Sequence, residues 1–104
     1  MSKNKKTIPT RTVILRKIKK LEPKLRELKV KEVYLFGSFA RGDAARLSDI
    51  DIVVSCEDGI TLFGLARIQR LLETSLGRYV DLVMKDAIRK EFRETVEREM
   101  IRAA

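Results

Sequence analysis

Three aspartates and a glycine–serine pair are the residues of this chain best suited to do chemistry. Gly37-Ser38 is followed, after ten residues, by Asp49-Ile50-Asp51, and Asp81 stands thirty residues beyond Asp51 in the run RYVDLVM. Asp49 and Asp51 lie two apart in an alternating apolar stretch. On a strand both side chains leave the same face, with Cα atoms roughly 6.5 Å apart. Ile50 and Ile52 take the opposite face, so turning the aspartates into the core would expose both isoleucines. Carboxylates this close repel and raise each other's pKa unless a cation sits between them. Magnesium removes that cost, because it prefers carboxylate, phosphate and water oxygens. If the strands carrying Asp51 and Asp81 pair, Asp81 comes within about 5 Å of the dyad. Three carboxylates could then hold two Mg²⁺ ions about 3.5 to 4 Å apart, the separation used in phosphoryl and nucleotidyl transfer.

Gly37 and Ser38 fit the other half of such a site. Glycine lets the backbone approach a phosphate and permits positive φ. A helical turn starting at Ser38 would aim free N–H groups at an anion, and the serine hydroxyl adds a donor. Arg41 could reach a phosphate or sit in solvent. Each feature is ordinary by itself: a bare Asp-x-Asp is a common surface pattern, and Gly-Ser is a common tight turn. Their joint occurrence, with Asp81, points to a site that holds a nucleoside triphosphate through metal ions.

The elements that must position these residues are readable from periodicity. Ile14, Ile18, Leu21, Leu25 and Leu28 form one helical stripe from about Thr10, with Pro23 expected to kink the helix near Lys19. Glu32 to Phe36 reads as a buried strand ended by Gly37-Ser38, with a short helical turn over Phe39 to Arg41. A polar loop spans Gly42 to Leu47, and Ser48 orders the turn before a second strand, Asp49 to Ser55. Thr61 suits the N-cap of a helix with Leu65, Ile68, Leu72 and Leu76 on one stripe, and Gly77 suits its C-terminal end. Tyr79 to Met84 reads as a third strand. Asp86 is a candidate cap for a last helix carrying Ile88, Phe92, Val96 and Met100. Phe36, Phe63 and Phe92 read as core, Cys56 as half-buried filler, and Tyr34 and Tyr79 as strand residues. The order α-β-β-α-β-α implies an α/β (α+β) domain, a small mixed sheet covered by helices.

Composition bounds the alternatives. The 104 residues suffice for one core with thin walls, so a site would lie near the surface. Residues 1–9 read as a disordered basic tail and 10–104 as a single domain. The chain has no histidine, which excludes a Ser-His-Asp triad and histidine metal ligands. No apolar run reaches a membrane span, and the basic start lacks the apolar stretch of a secretory signal, so the expected location is cytoplasmic. Net charge is +8, and residues 1–31, with 12 Lys or Arg against 2 Glu, carry more than all of it. That segment reads as a solvated helix face rather than a nucleic-acid surface, since no aromatics are interleaved to stack on bases.

The combination Gly37-Ser38, ten residues, then Asp49-x-Asp51 resembles the signature of the DNA polymerase β-like nucleotidyltransferase superfamily. The wording GSFARG…SDIDIVV is similar to the minimal nucleotidyltransferases of prokaryotes, over roughly Leu25 to Met84. The resemblance implies the polymerase β-like fold and a Mg²⁺-dependent transfer of AMP from ATP. Gly37 and Ser38 would bind the triphosphate, Asp49 and Asp51 both metal ions, and Asp81 the catalytic ion while helping to deprotonate the acceptor hydroxyl. It further implies a helical HEPN-type toxin as partner, adenylylated on a tyrosine, with this chain as antitoxin of a type VII-like pair. Two other readings stand beside this one: an antitoxin that neutralises by binding alone, and a small basic nucleic-acid-binding module.

Overall fold

The computed structural model describes residues 8–104. The expected tail over 1–9 falls outside the described residues except for Ile8 and Pro9, which have no regular structure. Two helices open the chain, α1 (Arg11–Lys20) and α2 (Glu22–Glu27). Strand β1 (Val30–Phe36) runs into a short helix, α3 (Gly37–Arg41), and β2 (Ile50–Cys56) follows the 42–49 loop. Then come α4 (Leu62–Leu76), β3 (Val80–Met84), a 3-10 turn (Lys85–Ala87), α5 (Lys90–Glu99) and β4 (Ile101–Arg102).

The sheet order is β3-β2-β1-β4. β1 is antiparallel to both β2 and β4, while β2 and β3 are parallel with α4 as the crossover. The expected mixed sheet is therefore present. A parallel pair needs a long connection, and the 15-residue α4 supplies it. Thr61 caps α4 by accepting from the Gly64 N–H, and Gly77 closes it at φ 68°, in the left-handed region. On the covered face, Val33, Leu35, Ile50, Ile52, Val54 and Val80 pack with Ile14 and Ile18 of α1, Leu25 of α2, and Ile68 and Leu72 of α4.

Four expectations are corrected. The first helix is not kinked near Lys19 but broken at Leu21, and Pro23 sits in the opening turn of α2. Pro23 has no N–H to give the Lys19 carbonyl, and the Leu21 N–H closes the helix on the Ile18 carbonyl at 2.9 Å. Asp86 does not cap the last helix: it belongs to the 3-10 turn, and α5 starts after Arg89 without a side-chain cap. Phe63 and Phe92 are not core, being 83% and 57% exposed, whereas Phe39 is buried. Helical spacing placed Phe92 on a stripe, but α5 buries only Val96. Finally, the two-residue β4 adds a fourth strand; it is too short to show a period-two pattern. Among the described residues no helix is long and apolar enough to cross a membrane.

Candidate active site

The parallel register of β2 and β3 pairs Ile50 with Val80, Asp51 with Asp81 and Ile52 with Leu82. Asp51 and Asp81 are thus direct neighbours across the ladder, about one strand spacing apart. Asp49 lies just before β2 rather than within it, since the ladder begins at Ile50. It is exposed, Asp51 is half-buried and Asp81 is exposed. The phasing holds: Ile50, Ile52 and Val54 are fully buried on the helix-covered face, opposite the carboxylates.

Gly37 follows Phe36, which pairs with Asp51 on the other side of β2. Its φ of +76° lies in the left-handed region. A Cβ there would run into the Asp51 carboxylate, with Cγ only 3.0 Å away. The glycine is required twice, by its backbone and by the carboxylate packed over it. Ser38 takes up the chain's turn: its carbonyl accepts from the Gly42 N–H at 2.9 Å and the Asp43 N–H at 3.0 Å. Arg41 is exposed and donates to Asp43 Oδ2 at 3.2 Å and Glu99 Oε1 at 3.5 Å. The structure thus brings Gly37, Asp51 and Asp81 together, with Asp49 at the mouth and Arg41 on the rim.

Electrostatics follow from this crowding. Burial pushes the Asp51 carboxyl above its ordinary value, and the charges of Asp81 and Asp49 push the same way. Arg41 opposes them more weakly. Carboxylates left in mutual repulsion suit a cation. Among the described residues no three acidic, cysteine or histidine side chains converge as a ready-made cage. Magnesium does not need one, since it commonly takes one or two carboxylates and completes its shell with substrate phosphates and water. Asp51 and Asp81, with Asp49 close by, are a donor set of that kind.

The site is open. Surface hollows of about 300 Å³ beside the start of α4 and about 370 Å³ beside residues 8–12 are lined by none of the aspartates. This matches the thin walls expected of a small chain. Two groups of positioning residues were not readable in advance. Gln69 and Glu73 of α4 grip the first residue of β3, through Gln69 Nε2 to the Val80 carbonyl at 2.9 Å and the Val80 N–H to Glu73 Oε2 at 3.0 Å. Arg78 donates from Nη1 to the carbonyls of Arg46 at 2.9 Å and Ser48 at 3.1 Å. Their positions, one helical turn apart on α4 and next to Gly77, carry no signal by residue type.

A family model described as a nucleotidyltransferase domain matches residues 18–103. The chain belongs to the nucleotidyltransferase domain family. As a nucleotidyltransferase it is an enzyme, and it has curated relatives named for that activity. The protein adenylyltransferase MntA of Thermococcus cleftensis is 40% identical over 72 residues, 69% of this chain and 73% of that one. Among solved structures, a proposed minimal nucleotidyltransferase superposes with a TM-score of 0.80 at 33% identity, covering 91% of this chain and 97% of that one. A toxin–antitoxin structure with AMP-PNP gives a TM-score of 0.70 at 30% identity, over 86% of this nucleotidyltransferase and 72% of that chain. The MNT antitoxin structure in complex with a tri-AMPylated HEPN toxin from Shewanella oneidensis gives 0.64 at 26% identity, over 91% and 72%.

Proposed function

We propose that this nucleotidyltransferase transfers AMP from ATP to a tyrosine hydroxyl of a HEPN-type toxin, and that it acts as the antitoxin of that pair. The observation that carries the reading is the in-register pairing of Asp51 with Asp81 beside the Gly37 turn. The acceptor oxygen attacks the α-phosphorus, the bond to the β-phosphate bridging oxygen breaks, and pyrophosphate leaves. Asp81, the more open of the paired carboxylates, takes the hydroxyl proton. Asp49, Asp51 and Asp81 would hold Mg²⁺, which when bound would neutralise charge on the triphosphate. Gly37 and Ser38 let the triphosphate lie against the backbone. Arg41 joins as a phosphate ligand by exchanging its surface partner Asp43, an exposed pair that is cheap to break. The catalytic unit is residues 10–104, and its setting is the cytoplasm, where ATP is supplied.

A protein acceptor suits the surface around the carboxylates. Leu47 and Tyr79 are 88% and 62% exposed, and each stands two residues before an aspartate of the site, Asp49 and Asp81. With Asp49 and Asp81 exposed, a protein acceptor would bring its own wall, and exposed apolar side chains beside the site are suited to meet it.

The test is label transfer from α-³²P-ATP to a co-purified HEPN toxin. Asp49→Asn and Asp51→Asn are expected to abolish it, and unchanged transfer in both would overturn the mechanism. If Asp81→Ala abolishes transfer yet cells stay fully protected from the toxin, neutralisation is by binding, and the antitoxin role is separate from catalysis.

A further inference from the structure

The 42–49 loop carries Asp49 and has few ties to the rest of the chain. Ser48 and Ala45 close a local turn, through the Ser48 N–H to the Ala45 carbonyl at 3.0 Å and the Ala45 N–H to Ser48 Oγ at 2.8 Å. Among the described residues, the hydrogen bonds that anchor 44–49 to another segment come from Arg78. The Arg78 guanidinium bridges the Arg46 and Ser48 carbonyls and lies 5.4 Å from the centroid of Phe39, a buried residue of α3. That distance is within cation–π range. No carboxylate pairs with it among the described ion pairs. Its contacts are therefore two carbonyls and a ring, all in segments that carry site residues. Gly77, in the left-handed conformation, turns the chain so that Arg78 leads directly into β3, and the Ile50 N–H bonds the Tyr79 carbonyl at 3.1 Å.

We propose that Arg78 is a positioning residue for the metal-binding end of the site. Its guanidinium pins the 46–48 turn against α3 and so sets where the Asp49 carboxylate stands relative to Asp51 and Asp81. Asp51 and Asp81 need no such help, because ladder register holds both. Asp49 lies outside the ladder, one residue past a carbonyl that Arg78 holds. A lysine keeps the charge but neither the planar stacking surface nor the fixed fork, so it replaces arginine only in part. The proposal rests on the functional reading above.

The experiment uses the full chain, as wild type, Arg78→Ala and Arg78→Lys, with three readouts: amide hydrogen exchange, Mn²⁺ binding by electron paramagnetic resonance, and AMP transfer. In Arg78→Ala the Ala45 and Ser48 amides are expected to exchange faster while Val33 and Ile52 in the sheet keep wild-type protection. Mn²⁺ binding is expected to weaken about 10- to 100-fold, the usual effect of removing a group that orients a metal ligand. Transfer should fall in the same range, and Arg78→Lys should lie between. Unchanged exchange at 45 and 48, a rise shared equally by the sheet amides, or unchanged Mn²⁺ affinity each overturns the proposal. If wild type neither binds Mn²⁺ nor transfers AMP, the functional reading fails, and amide exchange still decides whether Arg78 holds the turn.

Discussion

On one face of β2, Ile50, Ile52 and Val54 are sealed beneath α1, α2 and α4. On the other, Asp51 stands beside Asp81 with a glycine pressed against it, and its neighbour Asp49 waits just off the ladder. The stretch 49–54 supplies Ile50, Ile52 and Val54 to one face and Asp51 to the other, because successive side chains on a strand point in opposite directions. The buried face is tightly specified: Ile50 and Ile52 are both fully buried within one core cluster. The carboxylate face is under-satisfied, since burial and like charge both disfavour ionised Asp51. A fold can carry such a face only when the other one holds the strands in register. The chemistry is therefore unstable by itself and stable by attachment, and substitutions on the two faces should fail in different assays.

The largest separation is expected from Asp51→Asn. The substitution keeps the shape and removes the charge a metal-bound triphosphate needs. Transfer should fall about 10³-fold or more, which is about 4 kcal/mol of transition-state stabilisation. The melting temperature should not fall, because the lost charge was repelled by its neighbours. A melting point lowered along with activity would mean that the carboxylate has a structural role instead. Ile52→Ala is the mirror image. It should cost about 2–5 kcal/mol of stability by leaving a cavity in a fully packed layer, measured by urea unfolding. In the fraction still folded, transfer per molecule should stay close to wild type.

Gly37→Ala joins the two faces and should damage both properties moderately. A left-handed backbone with a Cβ costs about 1–2 kcal/mol, and the methyl must also displace the Asp51 carboxylate. A fall in melting temperature of about 4–8 °C per kcal/mol is expected, together with a loss of transfer. If melting falls and transfer does not, the glycine serves the turn alone.

The same contrast explains what could be read from residue order. The covered face was legible, because Ile50, Ile52 and Val54 and the α4 stripe repeat with the periods of their elements. The approach of Asp81 to Asp51 was legible only on condition that their strands pair, and the parallel crossover through α4 supplies the pairing and its register. Phe92 misled, since its spacing fits the stripe of Ile88, Val96 and Met100 while Val96 is the residue of α5 that is buried, and Phe63, off the α4 stripe, read as core from its residue type alone; a helix period says which residues share a face, not whether that whole face is used. Pro23 misled for a related reason: the residue type marks a break, but only the chain's path decides whether it interrupts one helix or starts another. Arg78, Gln69 and Glu73 were invisible because their partners are backbone groups of distant segments, and backbone groups leave no trace in residue type. Asp49 was thus legible as a site residue, while the contacts that hold its loop were not.

The smallest effect concerns pH and tests the repulsion directly. The folded-state pKa of Asp51 lies above its ordinary value of 3.8, so the folded protein binds that proton more tightly than the unfolded chain. Between those two values stability falls as pH rises. The penalty is fully present above the raised pKa, is relieved as pH drops toward 3.8, and is gone below it. In the metal-free protein Asp51→Asn should therefore be slightly more stable than wild type at pH 7, and the advantage should vanish on acidification. Saturating Mg²⁺ with a non-hydrolysable nucleotide should reverse the order at pH 7, since ligand binds the native wild type and not the variant. Melting curves at pH 7 and near pH 4, with and without that ligand, give all four comparisons. Equal stabilities in the metal-free pair at pH 7 would mean that Asp51 is relieved by the protein itself, and the carboxylate face would then have no intrinsic need of a cation.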